Sequence, residues 1–302
     1  MENKKVGIIT IHSDLNYGAA LQAFALNQVL KDNGYHSEII NYIKIPNFPP
    51  KYPFPLNVVF WLSNRMRFHR FRKFLRDSVT KKTWHSIDEM MSSFNEDFDV
   101  IVSGSDQVWN PVNLHDDFFL CYADDSKKKI SYAASMGREK IPQSVEKKFA
   151  DYIARYDCIS VREDSMIPII GRYTNKEIHQ HIDPVFLMTK DEWTKLERPY
   201  KELKYDQFIL VYALEWSESH NEKLLQLKKK TGLPAVSINT GNIKKIHADQ
   251  VIYNASPNEF LYILDKAAYV VTTSFHGTAM SVVYNKKFMG FTGSDKPTRI
   301  ES

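Results

Sequence analysis

Residues 6–42 read VGIITIHSDLNYGAALQAFALNQVLKDNGYHSEIINY. The run 6–11 is short and rich in β-branched side chains, as a buried strand requires. Residues 19–33 then place Leu21, Phe24, Ala25, Gln28 and Val29 at helical spacing, and Asn33-Gly34 closes that helix. His36–Tyr42 returns to strand character. Strand, helix and strand make a βαβ unit, whose crossover helix implies a parallel sheet.

The same alternation continues on both sides of a polar divide. Strands are expected at 98–102, 129–133 and 158–161, with helices at 87–95 and 145–155. His179 and His181 fall on one face of a further strand. Near Asp206 a second set begins, with strands at 208–212, 235–238 and 269–273 and helices at 218–231 and 278–284. Another helix opens at Ser256, an N-cap residue followed by Pro257 in the first turn. Residues 191–204 are polar, carry Pro199 and separate the two sets. The expected fold class is α/β, with Rossmann-like domains at 1–195 and 205–302. A Pro-rich loop at 46–55 leads into a basic helical insertion near 61–79, with Leu62, Met66, Phe71, Phe74, Leu75 and Val79 on its apolar side. The chain stops at Ser302 just as a helical element begins, so the C-terminal domain is expected to be incomplete.

Composition narrows the function classes. The 302 residues are 43% hydrophobic and 25% charged, ordinary for globular chains. Forty basic and 36 acidic side chains leave +4, too mild to argue for nucleic acid. Cys121 and Cys158 are far apart and unaccompanied, which suits two buried, reduced thiols in a cytoplasmic protein rather than zinc or a disulfide. His179 and His181 are too few for a metal and read as structural. No apolar run reaches the length of a membrane span. Between Arg65 and Lys82, eight Lys or Arg face one acid, Asp77. That helix either meets an anionic membrane surface or a lipid-linked sugar, or is a solvated face packed on the sheet.

Four loops follow strands at the carboxyl edge, where open α/β sheets hold ligands. In the first, Asn16-Tyr17-Gly18 runs into a helix whose free amides suit an anion; the plain alternative is a tight turn. In the second, Ser105, Asp106, Gln107 and Asn110 crowd hydrogen-bonding groups around Trp109. There Asp106 suits a base or a sugar-hydroxyl acceptor and Trp109 a stacking platform, against an Asx turn beside a core tryptophan. The third, 135–138, ends in Arg138. In the fourth, Ser274-Phe275-His276-Gly277-Thr278 sets a histidine between a strand and a helix N-terminus, suited to moving a proton beside anion-binding amides. Arg162 directly follows a strand and suits a carboxylate or phosphate, or a salt bridge to Glu163 or Asp164.

Together these segments resemble the polysaccharide pyruvyl transferase family. The residues that carry the resemblance are Asn16-Tyr17-Gly18-Ala19, residues 104–110, Tyr132-Ala133-Ala134-Ser135-Met136-Gly137, residues 159–163, Asp183-Pro184-Val185-Phe186-Leu187 and residues 273–278, so that it runs from about Gly7 to Ile300. The resemblance implies a GT-B-like fold, with two Rossmann-like domains facing across a cleft and a closing helical segment beyond Ser302. It implies transfer of pyruvate from phosphoenolpyruvate to a sugar of a polysaccharide or lipid-linked precursor, as a ketal, with no metal or other cofactor. By motif the resemblance makes His276 the catalytic histidine and Arg162 a donor-anion contact, and the loop readings above add Asp106 as catalytic. Arg162, Ser274, Gly277, Thr278, Asn16 and Gly18 hold the donor, and Ser105, Gln107, Trp109 and Asn110 the acceptor. The expected localisation is cytoplasmic, peripheral to the inner membrane surface if the basic helix meets it rather than packing as a solvated face. One departure is that Ser274 and Phe275 precede His276, where better-studied members carry an arginine and an apolar residue; Arg138, Lys296 and Arg299 are the cations available to compensate. The alternatives are a GT-B glycosyltransferase using a nucleotide-sugar, with Glu215 or Glu259 on the ribose, and a non-catalytic carbohydrate-binding relative.

Overall fold

The computed structural model describes residues 4–43, 56–93, 97–238 and 246–291. The Pro-rich loop, Lys296, Arg299 and the chain end lie outside them. The first unit runs β1 (Lys5–Ile9), α1 (Tyr17–Asp32), β2 (His36–Tyr42), α2 (Leu56–Leu75), β3 (Val79–Trp84), α3 (Ile87–Ser93), β4 (Val100–Ser103) and β5 (Lys128–Ser131). Its sheet is parallel, in the order β3-β2-β1-β4-β5. After α4 (Gln143–Ala154), the short pair β6 (Ile159–Val161) and β7 (Ile178–Gln180) flanks α5 (Ile167–Ile170). Single bridges from Ile130 to Cys158 and from Ala134 to Val161 hang that pair on the β5 edge.

Beyond α6 (Lys190–Thr194) the plan repeats. The elements are β8 (Ile209–Tyr212), α7 (Glu218–Thr231), β9 (Ala235–Ile238), β10 (Gln250–Ile252), α8 (Pro257–Lys266), β11 (Tyr269–Thr272), α9 (Phe275–Val283) and β12 (Lys287–Gly290). The second sheet is also parallel, in the order β10-β9-β8-β11-β12. In both sheets the first strand is central and the chain winds outward in both directions. The topological switch points, where open α/β sheets generally hold ligands, therefore lie between β1 and β4 and between β8 and β11.

The units meet along a packed apolar seam. Helix α1 is buried on nearly every side, because both sheets use it. Leu26 packs with Val6, Ile8 and Val102, while Tyr17, Ala20 and Leu21 share a core with Phe208, Leu210 and Phe260. Tyr17 stacks on Phe260 at 4.6 Å, and its hydroxyl donates to the Ala255 carbonyl at 2.8 Å. Each such ring contributes about 1.5–3 kcal/mol through burial.

Four local readings change. The basic helix ends at Leu75, and residues 79–84 form the edge strand β3, whose exposed Lys81 and Lys82 continue the helical charge pattern while blocking further strand pairing. Met66 is 60% exposed and does not join the buried side with Phe71 and Leu75. Strands β10 and β12 are too short for periodicity to reveal. Helix α9 starts at Phe275, three residues before the spacing suggests, because Ser274 caps it. No described helix is long and apolar enough to cross a membrane.

Candidate active site

His276 occupies the first turn of α9. Ser274 Oγ accepts the Gly277 amide at 3.4 Å, and Thr272 Oγ1 takes the Ser274 amide at 3.0 Å and donates to the Tyr212 carbonyl at 2.5 Å. The helix presses so closely on β11 that a Cβ at Gly277 would lie 2.1 Å from Thr272 Oγ1. This seating aims the imidazole across the seam at the first unit. There the ring rests on Gly18, where a Cβ would come within 2.3 Å of Cγ and Nδ1. His276 is only 5% exposed.

Its Nε2 lies 3.3 Å from Asp183 Oδ2, an ion-pair distance without hydrogen-bond alignment. Asp183 starts the turn at Pro184–Leu187, and its Oδ1 accepts the Val185 amide at 3.1 Å. Oδ2 also accepts from Ser105 Oγ and Arg162 Nη1, both at 2.9 Å. The Nε and Nη2 groups of Arg162 donate to Glu163 Oε1 at 3.1 Å, and Ser135 Oγ donates to the same oxygen at 2.7 Å. The Phe275 ring centroid lies 4.2 Å from the guanidinium carbon, a cation–π contact. Burial favours the neutral acid at Asp183, but His276, Arg162 and the Val185 amide outweigh it and hold this carboxyl well below the usual carboxylate range. Burial likewise works against the Arg162 cation, yet Glu163, Asp183 and Asp106 keep its pKa above the ordinary value. The arrangement is a histidine facing a fixed carboxylate, which is itself fixed by a buried arginine. It can hold the imidazole in one orientation for proton transfer.

The model of the family described as "Polysaccharide pyruvyl transferase" matches residues 16–295. The chain belongs to the polysaccharide pyruvyl transferase family. No curated protein sequence matches it significantly. Among solved structures it is similar to the UDP-GlcNAc 2-epimerase of Neisseria meningitidis bound to UDP-GlcNAc, at 11% identity and a TM-score of 0.54, over 99% of this chain and 89% of that one. An alpha-glucosyltransferase in complex with UDP gives 8% identity and a TM-score of 0.56, over 99% and 85%. The UDP-N-acetylglucosamine 2-epimerase of Rickettsia bellii gives 9% and 0.53, over 99% and 86%. These likenesses show the fold, which is GT-B-like.

Within this pyruvyl transferase family member, several expected site residues serve the fold. Trp109 is fully buried, stacked on Phe119 at 5.8 Å with Nε1 donating to Tyr156 at 3.3 Å, so it is a core tryptophan and offers no face to a sugar. Ser105 is buried against Asp183 and not open to an acceptor. Arg162 spends its donors on Asp183 and Glu163, so the salt-bridge reading describes it and the donor-anion reading does not. Asn16 caps α1, its Oδ1 accepting the Gly18 and Ala19 amides at 3.0 and 3.4 Å, which removes those amides from anion binding. Ser274 does the same to the Gly277 amide. Asn110 caps the turn at Pro111–Asn113, and its Nδ2 donates to Gln107 Oε1 at 3.0 Å.

Other residues stay at the junction. Asp106 sits at φ 74, a left-handed position costly for a residue other than glycine, and its Oδ1 accepts the Gln107 amide at 2.9 Å. Its charge, after burial, helps to raise the Asp14 pKa. Thr278 Oγ1 is buried without a partner, two residues beyond His276. Arg138 is exposed. For the nucleotide-sugar alternative, Glu259 is already engaged, closing a capping box with Ser256 and pairing with Arg70 at 3.0 Å. His179 and His181 share a face as expected, with ring centroids 6.1 Å apart, and His181 stacks on Tyr132 at 5.4 Å. Among the described residues no group of three or more His, Cys, Asp or Glu is arranged to hold a metal. Cys121 is half-buried, and Cys158 is exposed rather than buried, because its short strand lies at the sheet margin.

Sequence reading gave no role to Asp183, none to Glu163 beyond a salt bridge with Arg162, and none to Ser135 beyond its place in a candidate loop. Asp183-Pro184 does carry a local signal, that of a cap before a proline. Its engagement with Ser105, Arg162 and His276 carries none, since those partners come from three other loops.

Proposed function

We propose that this chain transfers pyruvate from phosphoenolpyruvate to a sugar of a polysaccharide or its lipid-linked precursor, forming a ketal. The observation that carries this reading, beside family membership, is the His276–Asp183 pair at the meeting of the two units. In the proposed reaction, protonated His276 gives a proton to the methylene carbon of the donor, which becomes a methyl group. A sugar hydroxyl adds to the neighbouring carbon. A second hydroxyl displaces phosphate there and closes the ketal, so one hydroxyl proton restores His276 and the other leaves with phosphate. Asp183 orients the imidazole, as the carboxylate of a hydrolytic triad does. Asp106, beside Asp14, is the proposed acceptor base. Arg162 acts through Asp183, and Arg138 is the described candidate for the donor anion. The buried ring requires the Gly18 contact to open before a substrate reaches it.

The UDP ligands named for the structural neighbours favour a second reading, a nucleotide-sugar glycosyltransferase. Melting temperature separates the two, because a ligand that binds only the folded state raises it. Phosphoenolpyruvate should raise it and UDP-GlcNAc should not; the reverse supports the second reading. His276→Ala should lower ketal formation at least ~100-fold, with circular dichroism showing that the chain still folds. Unchanged turnover rejects His276 as the acid.

A further inference from the structure

The charge of this chain is concentrated in one place. Residues 65–82 hold eight cations and one acid, net +7, so with +4 overall the remaining residues are net −3. The fold uses only part of that charge internally. Arg67 is buried, and Arg70 pairs with Glu259 while donating to the Asn254 carbonyl at 2.9 Å. Phe71 and Leu75 enter the shared core, and Phe71 lies 5.0 Å from Tyr17. These contacts dock one side of α2 and turn the other outward. Arg65, Arg72 and Lys73 are all exposed there, and helical spacing sets them along one stripe, while exposed Arg76 follows directly after the helix and pairs with Asp77 at 3.3 Å. Met66 and Phe68, 60% and 40% exposed, fall at the two margins of that stripe. Lys31 donates to the Asp77 carbonyl, and Lys81 and Lys82 continue the positive band onto β3. Beside the band lies an open recess of about 730 Å³ at the amino edge of the first sheet, where Lys5, Lys31, His36, Lys81 and Lys82 outnumber the acids Glu38 and Asp97.

We propose that the outward face of α2, with the adjoining β3 lysines, binds an anionic lipid surface. A band of like charge attracts any polyanion, so the cations alone name no partner. Met66 and Phe68 decide between them. Apolar side chains flanking a cationic stripe contribute nothing to a phosphate backbone in water, yet they insert among headgroups while the cations meet lipid phosphates. This inference stands apart from pyruvyl transfer, since it uses none of the residues at the His276 junction.

The test is flotation of the full chain with vesicles of phosphatidylcholine alone and of phosphatidylcholine mixed with phosphatidylglycerol. The expected result is binding to the mixed vesicles only, weakened by salt. Each cation removed in Arg72→Gln, Lys73→Gln and Arg76→Gln should weaken it roughly fivefold. Met66→Ser with Phe68→Ser should also weaken it, while leaving attraction to duplex DNA unchanged. All of these side chains are exposed, so the melting temperature serves as a control and should hold. No flotation, equal flotation with both vesicles, or variants that float like the wild type overturn the proposal. So does binding to duplex DNA without flotation.

Discussion

Gly18 and Asp183 bear on the same imidazole from opposite sides. Gly18 has no side chain because the His276 ring occupies that space, and the ring is rigid. Gly18→Ala should therefore displace it from Asp183, costing about 1–3 kcal/mol of stability through overpacking. Ketal formation should drop in parallel, and a variant with wild-type melting and turnover would refute the close approach. Asp183 makes a prediction about acid. Its folded pKa lies below the unfolded value, so its contribution is fully present above about pH 4 and is lost as pH falls from there toward the folded pKa. Denaturant titrations of wild type and Asp183→Asn should differ by several kcal/mol at neutral pH. That gap should narrow below about pH 4; a constant gap means that the carboxylate charge does not matter.

Caps rather than propensity decide where the helices at the junction begin. Ser274 shifts the start of α9 to Phe275 and so puts His276 inside the first turn. Asn16 does the same for α1 and Gly18. Ser256 illustrates the strength of the device, since its hydroxyl receives the Glu259 amide while Glu259 Oε2 accepts the Ser256 amide at 2.7 Å. Ser256→Ala should cost about 1 kcal/mol, read as a lower melting temperature. A loss well above that would point to the Arg70–Glu259 pair, which ties α8 to α2, failing with the cap.

Across the molecule, the shared core around α1 makes the two units depend on each other. Tyr17 stands at its centre, touching Phe71, Tyr212 and Phe260. Tyr17→Ala should remove about 3–5 kcal/mol, as other large-to-small core changes do. It should destabilise both halves in one transition. Two separated transitions, with only the first half weakened, would show that the seam does not couple them.

The alternation of strands and helices, the parallel sheets and the first βαβ unit were legible in residues 6–42 and in their echo after Asp206. Those features follow from local periodicity and chain connectivity, which a sequence carries directly. Ser256 as a cap was legible for the same reason, since its partners lie within three residues. Trp109, Ser105 and Arg162 suit binding as well as burial, because residue type records what a side chain can do and not which neighbours occupy it. Tertiary structure alone decided that Arg162 turns inward to Asp183 and Glu163, that His276 leans on Gly18, and that Met66 faces outward. The Arg162–Asp183 and His276–Gly18 contacts depend on segments distant in sequence converging at one point, where desolvation favours polar groups that are paired.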